Sequence, residues 1–432
     1  MPNDLRIDPR DFITGPFSKC PKCGGNEFGV LSIYDERYLR RCRDRACWHT
    51  VTIYLPKLKK KVIYIDQSAI SNIMKVLSPE VKGHERAAAE PFWDELREAL
   101  DVVRRLQLAI FPDSTEHEGE SLASPFFKSL KNTYEHFSGG VSFYDGESIR
   151  SMQIAEAALC FIKRQELTFD LDPQRITRGR VHGWLDRYRV STDGVLPGTL
   201  EELRSARSKG HAELQKAFER WQKEKKTFSE VLEEQQGTYV PFILTQYAAD
   251  QKKMIRAALG QVPPSLDALI PSAAGSVVEM IRRTLEVEST PAKPAVTVKD
   301  FLDSGLIKRV PFNIIESSMF ASLAMKAAAG QKEPPNQGTL NDIGVASALL
   351  PYCDAMFVDN GCRALLQDIP KERRLPYPCA VFSRNTGAEF LKYVAEIRES
   401  ATLDHLKVIE ELYGPNARGP SAGISGVGTF RR

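Results

Sequence analysis

Three short apolar runs, separated by helical patterns, most constrain the fold of this chain. The first, Lys61-Val-Ile-Tyr-Ile-Asp66, and the last, Ala355-Met-Phe-Val-Asp359, both end in aspartate, and Leu108-Ala-Ile-Phe111 lies between them. Apolar runs of four to eight residues bounded by turn signals are typical of strands buried in a parallel sheet. The sequence therefore predicts an α/β domain that the chain leaves after residue 121 and re-enters at about residue 310, with a large all-helical insertion over 122–309.

Four acidic residues lie where these strands end or where helices should begin: Asp66, Glu120, Asp342 and Asp359. Asp66 and Asp359 should project from the carboxyl ends of parallel strands, where open α/β sheets place their active sites. Asp342 opens the helical run over 342–350. Acids from such distant parts of a chain that meet at one sheet edge indicate a metal-dependent nuclease.

The segment after the second strand offers three glutamates for one place in the acidic site. Ser114 is a predicted helix cap, and Glu120, six residues later, should face Asp66 if the helix is regular. Glu116 and Glu118 compete with Glu120 for this role. His117 would either orient an acid or a phosphate, or bond to the cap region as a structural histidine, and the structural role is favoured.

Converging carboxylates indicate a hard divalent cation, Mg²⁺ or Mn²⁺, because they would otherwise repel one another. Asp66 and Asp342 are the predicted direct ligands, and Asp359 and Glu120 would bind a second ion or position a water molecule. Any one of these acids alone is more often a turn former or a helix cap. Their joint order along the chain favours the catalytic interpretation.

Two close cysteine pairs predict a zinc ribbon over residues 1–56. Its ligands would be Cys20, Cys23, Cys42 and Cys47, and the glycines after the first pair let backbone amides turn back toward sulfur. Four thiolates leave no coordination position open, so the zinc should be structural. His49 is a less favoured substitute for Cys47.

Arginines interleaved with aromatic residues suggest two nucleic-acid-binding surfaces: Arg41, Arg43 and Arg45 in the ribbon, and Arg178 and Arg180 in the insertion. Cations beside stackable rings suit single-stranded nucleic acid. Solvated basic faces are the alternative, at even odds for the ribbon and favoured for the insertion.

Composition indicates a cytoplasmic chain of two or three domains that has no membrane partner. Its 432 residues exceed the roughly 250–300 at which single cores stop growing, and no run reaches the ~18–20 apolar residues of a membrane span. A net charge of only +3 means that a nucleic acid would be held by local patches. The Gly- and Ser-rich tail over 414–432 should be disordered.

The runs Ile-Tyr-Ile-Asp66-Gln-Ser, Pro112-Asp-Ser-x-x-His-x-x-Glu120 and Asn341-Asp342, with Ala-Met-Phe-Val-Asp359-Asn, together resemble the PIN-like nuclease superfamily. The resemblance covers about 61–121 and 310–385, within a discontinuous domain of 61–121 and 310–413. It implies a compact parallel sheet whose acids gather around Mg²⁺ or Mn²⁺ and hydrolyse RNA phosphodiester bonds. The long insertion departs from the minimal domain of that superfamily.

The chain is thus predicted to be a metal-dependent endoribonuclease, with RNA a more probable partner than DNA. A toxin or phage-defence effector is the favoured biological role, and the insertion could serve as a homodimer interface. Two alternatives stay open: a non-catalytic zinc-ribbon adaptor on a PIN-like scaffold, and a structure-specific DNA nuclease.

Overall fold

A computed structural model of the chain describes residues 8–122, 124–186, 199–261, 272–288 and 297–414. The side chains of residues 120, 199–207 and 288 lie outside this description. The predicted tail after residue 414 also lies outside the described residues.

The amino-terminal unit is an antiparallel sheet of four strands in the order β1-β2-β3-β4. Its strands are β1 (Thr14–Ser18), β2 (Phe28–Tyr34), β3 (Arg37–Cys42) and β4 (Thr50–Tyr54). A two-residue turn joins β2 to β3, and its first residue, Asp35, has a positive φ of 51°, which matches the tight turns that join antiparallel strands.

The second sheet is parallel and has the strand order β10-β9-β5-β6. Its strands are β5 (Lys61–Ile65), β6 (Ala109–Ile110), β9 (Ala355–Phe357) and β10 (Ala380–Phe382). Side chains alternate along β5: Val62 and Tyr64 enter one hydrophobic core, whereas Ile63 and Ile65 enter the other. Both faces of the sheet are therefore buried, as the unbroken apolar runs predict.

Helices cover both faces of the parallel sheet. On the Ile63 side lie α1 (Gln67–Leu77), α2 (His84–Ala88), α3 (Pro91–Arg105), α5 (Phe127–Ser138) and α14 (Gly387–Glu399). On the Val62 side lie α11 (Pro311–Ala328), α12 (Thr339–Leu349) and α13 (Asn360–Gln367). The short helix α4 (Thr115–Ser121) follows β6, and α15 (Leu403–Tyr413) ends the described chain.

The segment between the two halves of the α/β domain is mainly helical, as the sequence predicts. Its remaining helices are α6 (Gly146–Lys163), α7 (Thr199–Glu224), α8 (Phe228–Ala258), α9 (Ala273–Glu288) and α10 (Val298–Asp303). The charged stretch over 200–236 spans two helices: α7 ends at Glu224, and α8 begins after the capping box of Thr227 and Glu230. Two short antiparallel strands, β7 (Ser142–Phe143) and β8 (Thr177–Arg178), were not predicted.

The ribbon sheet lies against the rest of the protein through a small apolar cluster. Ile33 and Tyr38 of the ribbon pack with Trp184 and with Leu412 of α15. Asp35 forms an ion pair with Arg180. Tyr38 and Trp184 are therefore structural, although the sequence also allowed them to stack on nucleic acid.

The predicted fold class is confirmed in its coarse form, a mixed α/β protein with a four-stranded parallel sheet and a four-stranded antiparallel sheet. Among the helices that the structure describes, none combines the length and the apolar character needed to cross a membrane.

Candidate functional site

Asp66 and Asp359 lie at the carboxyl ends of the two central strands of the parallel sheet. From β5 the chain continues to β6 on one side, and from β9 it continues to β10 on the other. The order of the strands reverses between β5 and β9, and the backbone N–H of Asp66 donates to the carbonyl of Phe357 across this boundary (2.9 Å). Open α/β sheets bind their ligands in the crevice at such a switch point.

Both aspartates also cap helices. Oδ2 of Asp66 accepts from the backbone N–H of Ser68 at 3.0 Å and from its hydroxyl at 2.5 Å. Oδ1 of Asp359 accepts from the backbone N–H of Cys362 at 2.5 Å. Within the described residues, the second oxygen of each carboxylate has no hydrogen-bond partner. Each half-buried side chain therefore keeps one oxygen available to a ligand.

Asp342 lies in the first turn of α12, where the N-terminal end of a helix favours negative charge. The preceding loop is fixed by Asn336, whose Oδ1 accepts from the backbone N–H groups of Gly338 (2.8 Å) and Thr339 (3.0 Å). The backbone N–H of Asp342 donates to the carbonyl of Gly338 (3.0 Å). The carboxylate is half-buried, like those of the two capping aspartates.

The thiol of Cys362 lies within the electrostatic reach of all three aspartates. It is buried and lies 3.9 Å from the carbonyl oxygen of Asp342. Burial raises the pKa of this thiol well above its usual value, and the negative charges of Asp342, Asp359 and Asp66 raise it further. One side chain thus experiences the field of all three carboxylates. The sequence signal for Cys362 is its position three residues after Asp359, where its backbone N–H meets the cap.

The ligand atoms of the three aspartates do not form a group as close as that of the cysteines. Among the described residues, the four ribbon cysteines are the only group of three or more metal-ligating side chains whose ligand atoms all lie within 4.8 Å of one another. Magnesium is usually held by one or two carboxylates and keeps several waters. Carboxylates farther apart can therefore contact its hydration shell, and the oxygen-only donor set fits Mg²⁺ or Mn²⁺.

The glutamates of α4 face different surroundings. Glu116 lies beside Gly146 of α6, and a Cβ added at Gly146 would stand 3.7 Å from its carboxylate. Glu118 is exposed. Glu120 lies in the same helix, but its side chain is outside the described residues. Its predicted role stays a prediction.

His117 is structural in its contacts, as the favoured interpretation of the sequence predicts. Its Nδ1 lies 3.2 Å from the hydroxyl of the cap residue Ser114, and its Nε2 lies 2.8 Å from the carbonyl oxygen of Ile65. Burial lowers the pKa of His117, against the opposing charge of Asp66. The imidazole therefore fixes α4 against the end of β5, next to Asp66.

The four ribbon cysteines come together as predicted. The sulfur atoms of Cys20 and Cys47 are 3.6 Å apart, and those of Cys23 and Cys42 are 3.8 Å apart. Burial opposes ionisation of Cys20, but the backbone N–H groups that follow it outweigh burial and lower its pKa to about 7. The group could hold a zinc ion, for which thiolates are the preferred ligands. His49 is not part of this group.

Two of the three ribbon arginines predicted to bind nucleic acid lie over aromatic rings. The guanidinium of Arg41 is 5.0 Å from the ring centroid of Trp48, and that of Arg43 is 5.4 Å from that of Phe17. Both arginines are half-buried. These stacks stabilise the ribbon and also hold the two cations in place.

The other three arginines predicted to bind nucleic acid differ in whether a carboxylate pairs with them. Arg45 pairs with Asp8 (3.0 Å), and Arg180 pairs with Asp35. Arg178 is exposed, and no carboxylate among the described residues pairs with it. Of the two insertion arginines, Arg178 is therefore the one whose charge remains available.

Comparisons with protein-family models, with curated proteins and with solved structures found no match to this chain.

Proposed function

We propose that this protein is a metal-dependent endoribonuclease with a PIN-like catalytic domain and a structural zinc ribbon. The position of Asp66 and Asp359 at the carboxyl ends of neighbouring strands, on either side of the switch point of the parallel sheet, carries the proposal, because ligands are expected there. Asp342 supports it, since its charge acts together with theirs on the buried thiol of Cys362.

A bound Mg²⁺ or Mn²⁺ would lower the pKa of a coordinated water and neutralise charge on the phosphate under attack. Asp66 and Asp342 would hold the ion through their half-buried carboxylates. Asp359 would orient the water through the carboxylate oxygen that its helix cap leaves without a hydrogen bond. Burial and the adjacent negative charges keep the thiol of Cys362 protonated, so it adds no further negative charge and no competing soft ligand.

Single-stranded RNA is the substrate class that the surface favours. The stacked cations Arg41 and Arg43 are held over rings in the ribbon, and Arg178 lies 5.5 Å from the ring centroid of Tyr144. Such cation and ring pairs bind flexible strands without reading a duplex groove. The choice of RNA over DNA comes from the PIN-like resemblance.

Asparagine variants test the proposal without removing the helix caps. Asparagine caps a helix about as well as aspartate, so Asp66→Asn and Asp359→Asn should fold normally but lose charge. We expect each of these variants to reduce cleavage of labelled single-stranded RNA by more than about 100-fold, and we expect the same of Asp342→Asn. This loss exceeds the about 10–100-fold that is typical when a residue supporting a metal ligand is replaced. EDTA should abolish cleavage, and added Mg²⁺ or Mn²⁺ should restore it.

The matched control is Asp368→Asn, because Asp368 forms a surface ion pair with Lys326 away from the switch point (3.1 Å). Its activity should equal that of the wild type. Metal-independent cleavage, or full activity in the three variants, would contradict the proposal. Binding of RNA without cleavage would favour the adaptor alternative, and cleavage restricted to DNA would favour the DNA nuclease.

A further inference from the structure

A cavity of about 340 Å³ opens between α4, α5 and the β7–β8 pair, on the β6 side of the three aspartates. This volume is at the lower end of the range for small-ligand pockets, roughly 300–1,000 Å³. Its floor includes the buried residues His117, Ser121 and Tyr134, and its rim includes the exposed residues Glu118 and Arg178. The cavity can therefore take one small group from solvent, but not a duplex.

A short chain of contacts joins this cavity to the catalytic edge. Gln67, the residue after Asp66, donates from Nε2 to the hydroxyl of Ser121 (3.2 Å), which lies 3.3 Å from the phenolic oxygen of Tyr134. Oε1 of Gln67 is buried and has no hydrogen-bond partner among the described residues. Ser121 of the cavity wall thus contacts Gln67, the residue that follows the proposed metal ligand Asp66.

Aromatic rings lead from the sheet into the cavity. The ring of Tyr64 stacks on His117 with centroids 5.0 Å apart, and His117 contacts Tyr134 at 4.8 Å. Phe127 adds a half-buried ring to the wall. A planar group that enters the cavity would meet ring surfaces that are already fixed, and nucleobases stack on such surfaces.

The charges of the cavity exclude a phosphate from its interior and place one at its rim. Its lining carries the carboxylates of Asp113, Glu118 and Glu135 and the ammonium group of Lys131, which pairs with Glu135 (3.9 Å), so negative charge predominates there and repels a phosphate. Arg178 is the exposed cation at the rim that has no carboxylate partner among the described residues. Exposed Glu118 can accept a hydrogen bond from an amino group on a base edge, as carboxylates do from cytosine.

We propose that this cavity binds one nucleobase of the RNA, next to the phosphate that is cleaved, and that Arg178 holds the adjoining phosphate. The proposal rests on the proposed function and names a specificity site for it. Phe127 provides a stacking surface, and Glu118 favours bases that carry an exocyclic amino group over uracil.

Two cavity variants, Phe127→Ala and Glu118→Gln, test this site. We expect the wild type to cut a randomised single-stranded RNA with a preference for A, C or G over U at one position beside the cut. Phe127→Ala should weaken this preference and raise KM about tenfold while kcat is kept, because one base stack is lost. Glu118→Gln should reduce the discrimination against uracil. The control, Phe242→Ala, removes an exposed ring of α8 and should change neither value.

Binding of AMP, CMP, GMP and UMP, measured by titration calorimetry, makes the test independent of cleavage. Phe127→Ala should weaken binding of the first three about tenfold. If the wild type cuts RNA but both cavity variants keep its cleavage map and KM, the cavity inference is wrong and the nuclease proposal stands. If the wild type cuts nothing, the nuclease proposal fails, and nucleotide binding that does not depend on Phe127 would overturn the cavity site as well.

Discussion

Lys60 is a buried cation at the junction between the ribbon and the α/β domain. Its Nζ donates to Oε1 of Gln107 (2.9 Å) and to the carbonyl of Gly183 (2.6 Å), but no carboxylate among the described residues pairs with it. Burial, and secondarily the nearby positive charge of Arg104, lowers the pKa of Lys60 to about 7. The side chain joins three parts of the chain, and its charged form is unfavourable there.

This environment predicts a specific dependence of stability on pH. The pKa of Lys60 is about 7 when folded and 10.5 in its ordinary state. Between these values the unfolded chain binds more protons, so the contribution of Lys60 to the free energy of unfolding rises with pH from about 7 to about 10.5. In Lys60→Met this rise should disappear, as measured by urea unfolding at several pH values across that interval.

The exposed neighbour Lys59 offers a matched control, and Lys59→Met should keep the pH dependence of the wild type. Comparing the two variants removes the contributions of other groups that titrate in this interval, such as the thiols. Equal slopes in the wild type and in Lys60→Met would show that Lys60 has an ordinary pKa.

At the scale of elements, the ribbon depends on its cysteines for shape. Its buried residues around the cysteines form a cluster of only Cys20, Phe28 and Cys42. The loop at the first pair turns through Gly24, whose φ is positive at 71°. A cluster of this size cannot hold the loops without a metal, because small domains lack a sufficient core.

We expect the protein to contain about one zinc ion per chain. Cys42→Ser should abolish this zinc, lower the melting temperature and loosen the contact of Asp35 with Arg180, because it removes one of four ligands. Metal analysis and thermal unfolding measure these effects. Cys160→Ser, which removes a thiol outside the group, should leave the zinc content unchanged; zinc retained in Cys42→Ser would contradict the assignment.

Periodicity and end signals made the helices and longer strands predictable. The apolar residues Phe92, Leu96, Leu100 and Val103 recur at helical spacing, and they form the buried side of α3 (Pro91–Arg105). The two-residue strands β7 and β8 could not be predicted, because a pair of residues carries no periodicity. Local sequence patterns also could not predict the order of the strands, because it depends on contacts between distant segments.

The candidate site could also be predicted only in part from the sequence. Asp66 and Asp359 could be located because the strands they follow have clear apolar patterns. The partners of the arginines could not be predicted. Arg180 pairs with Asp35 from another element, and Arg43 lies over Phe17. The first pair depends on how the ribbon packs against the segment that carries Arg180, and the second depends on how the strands pair within the ribbon, so neither is encoded by a single segment.

At the scale of the whole molecule, the helical segment is built into the same core as the parallel sheet. Phe218 and Trp221 of α7 belong to one apolar cluster with Met319 of α11 and with Val62 of β5. Although the sequence suggested an inserted domain over 122–309, this shared core indicates that the segment and the sheet unfold together.

Trp221→Ala tests this cooperativity. Loss of the buried indole should reduce the free energy of unfolding by about 3–5 kcal/mol, and a single transition should move to lower temperature in calorimetry. Leu403→Ala, at a position where the side chain is 78% exposed, should change stability little. Two separate transitions, with only one of them shifted, would show that the segment is an independent domain.

The helix caps formed by Asp66 and Asp359 give the acidic edge a stability of its own. Each negative charge lies at the positive end of a helix, which offsets part of the mutual repulsion of the carboxylates. The acidic edge is therefore preorganised, and a cation that bound there, as we propose, could exchange without refolding. The ribbon should behave in the opposite way, because its small core would acquire its shape together with the zinc that we expect it to hold.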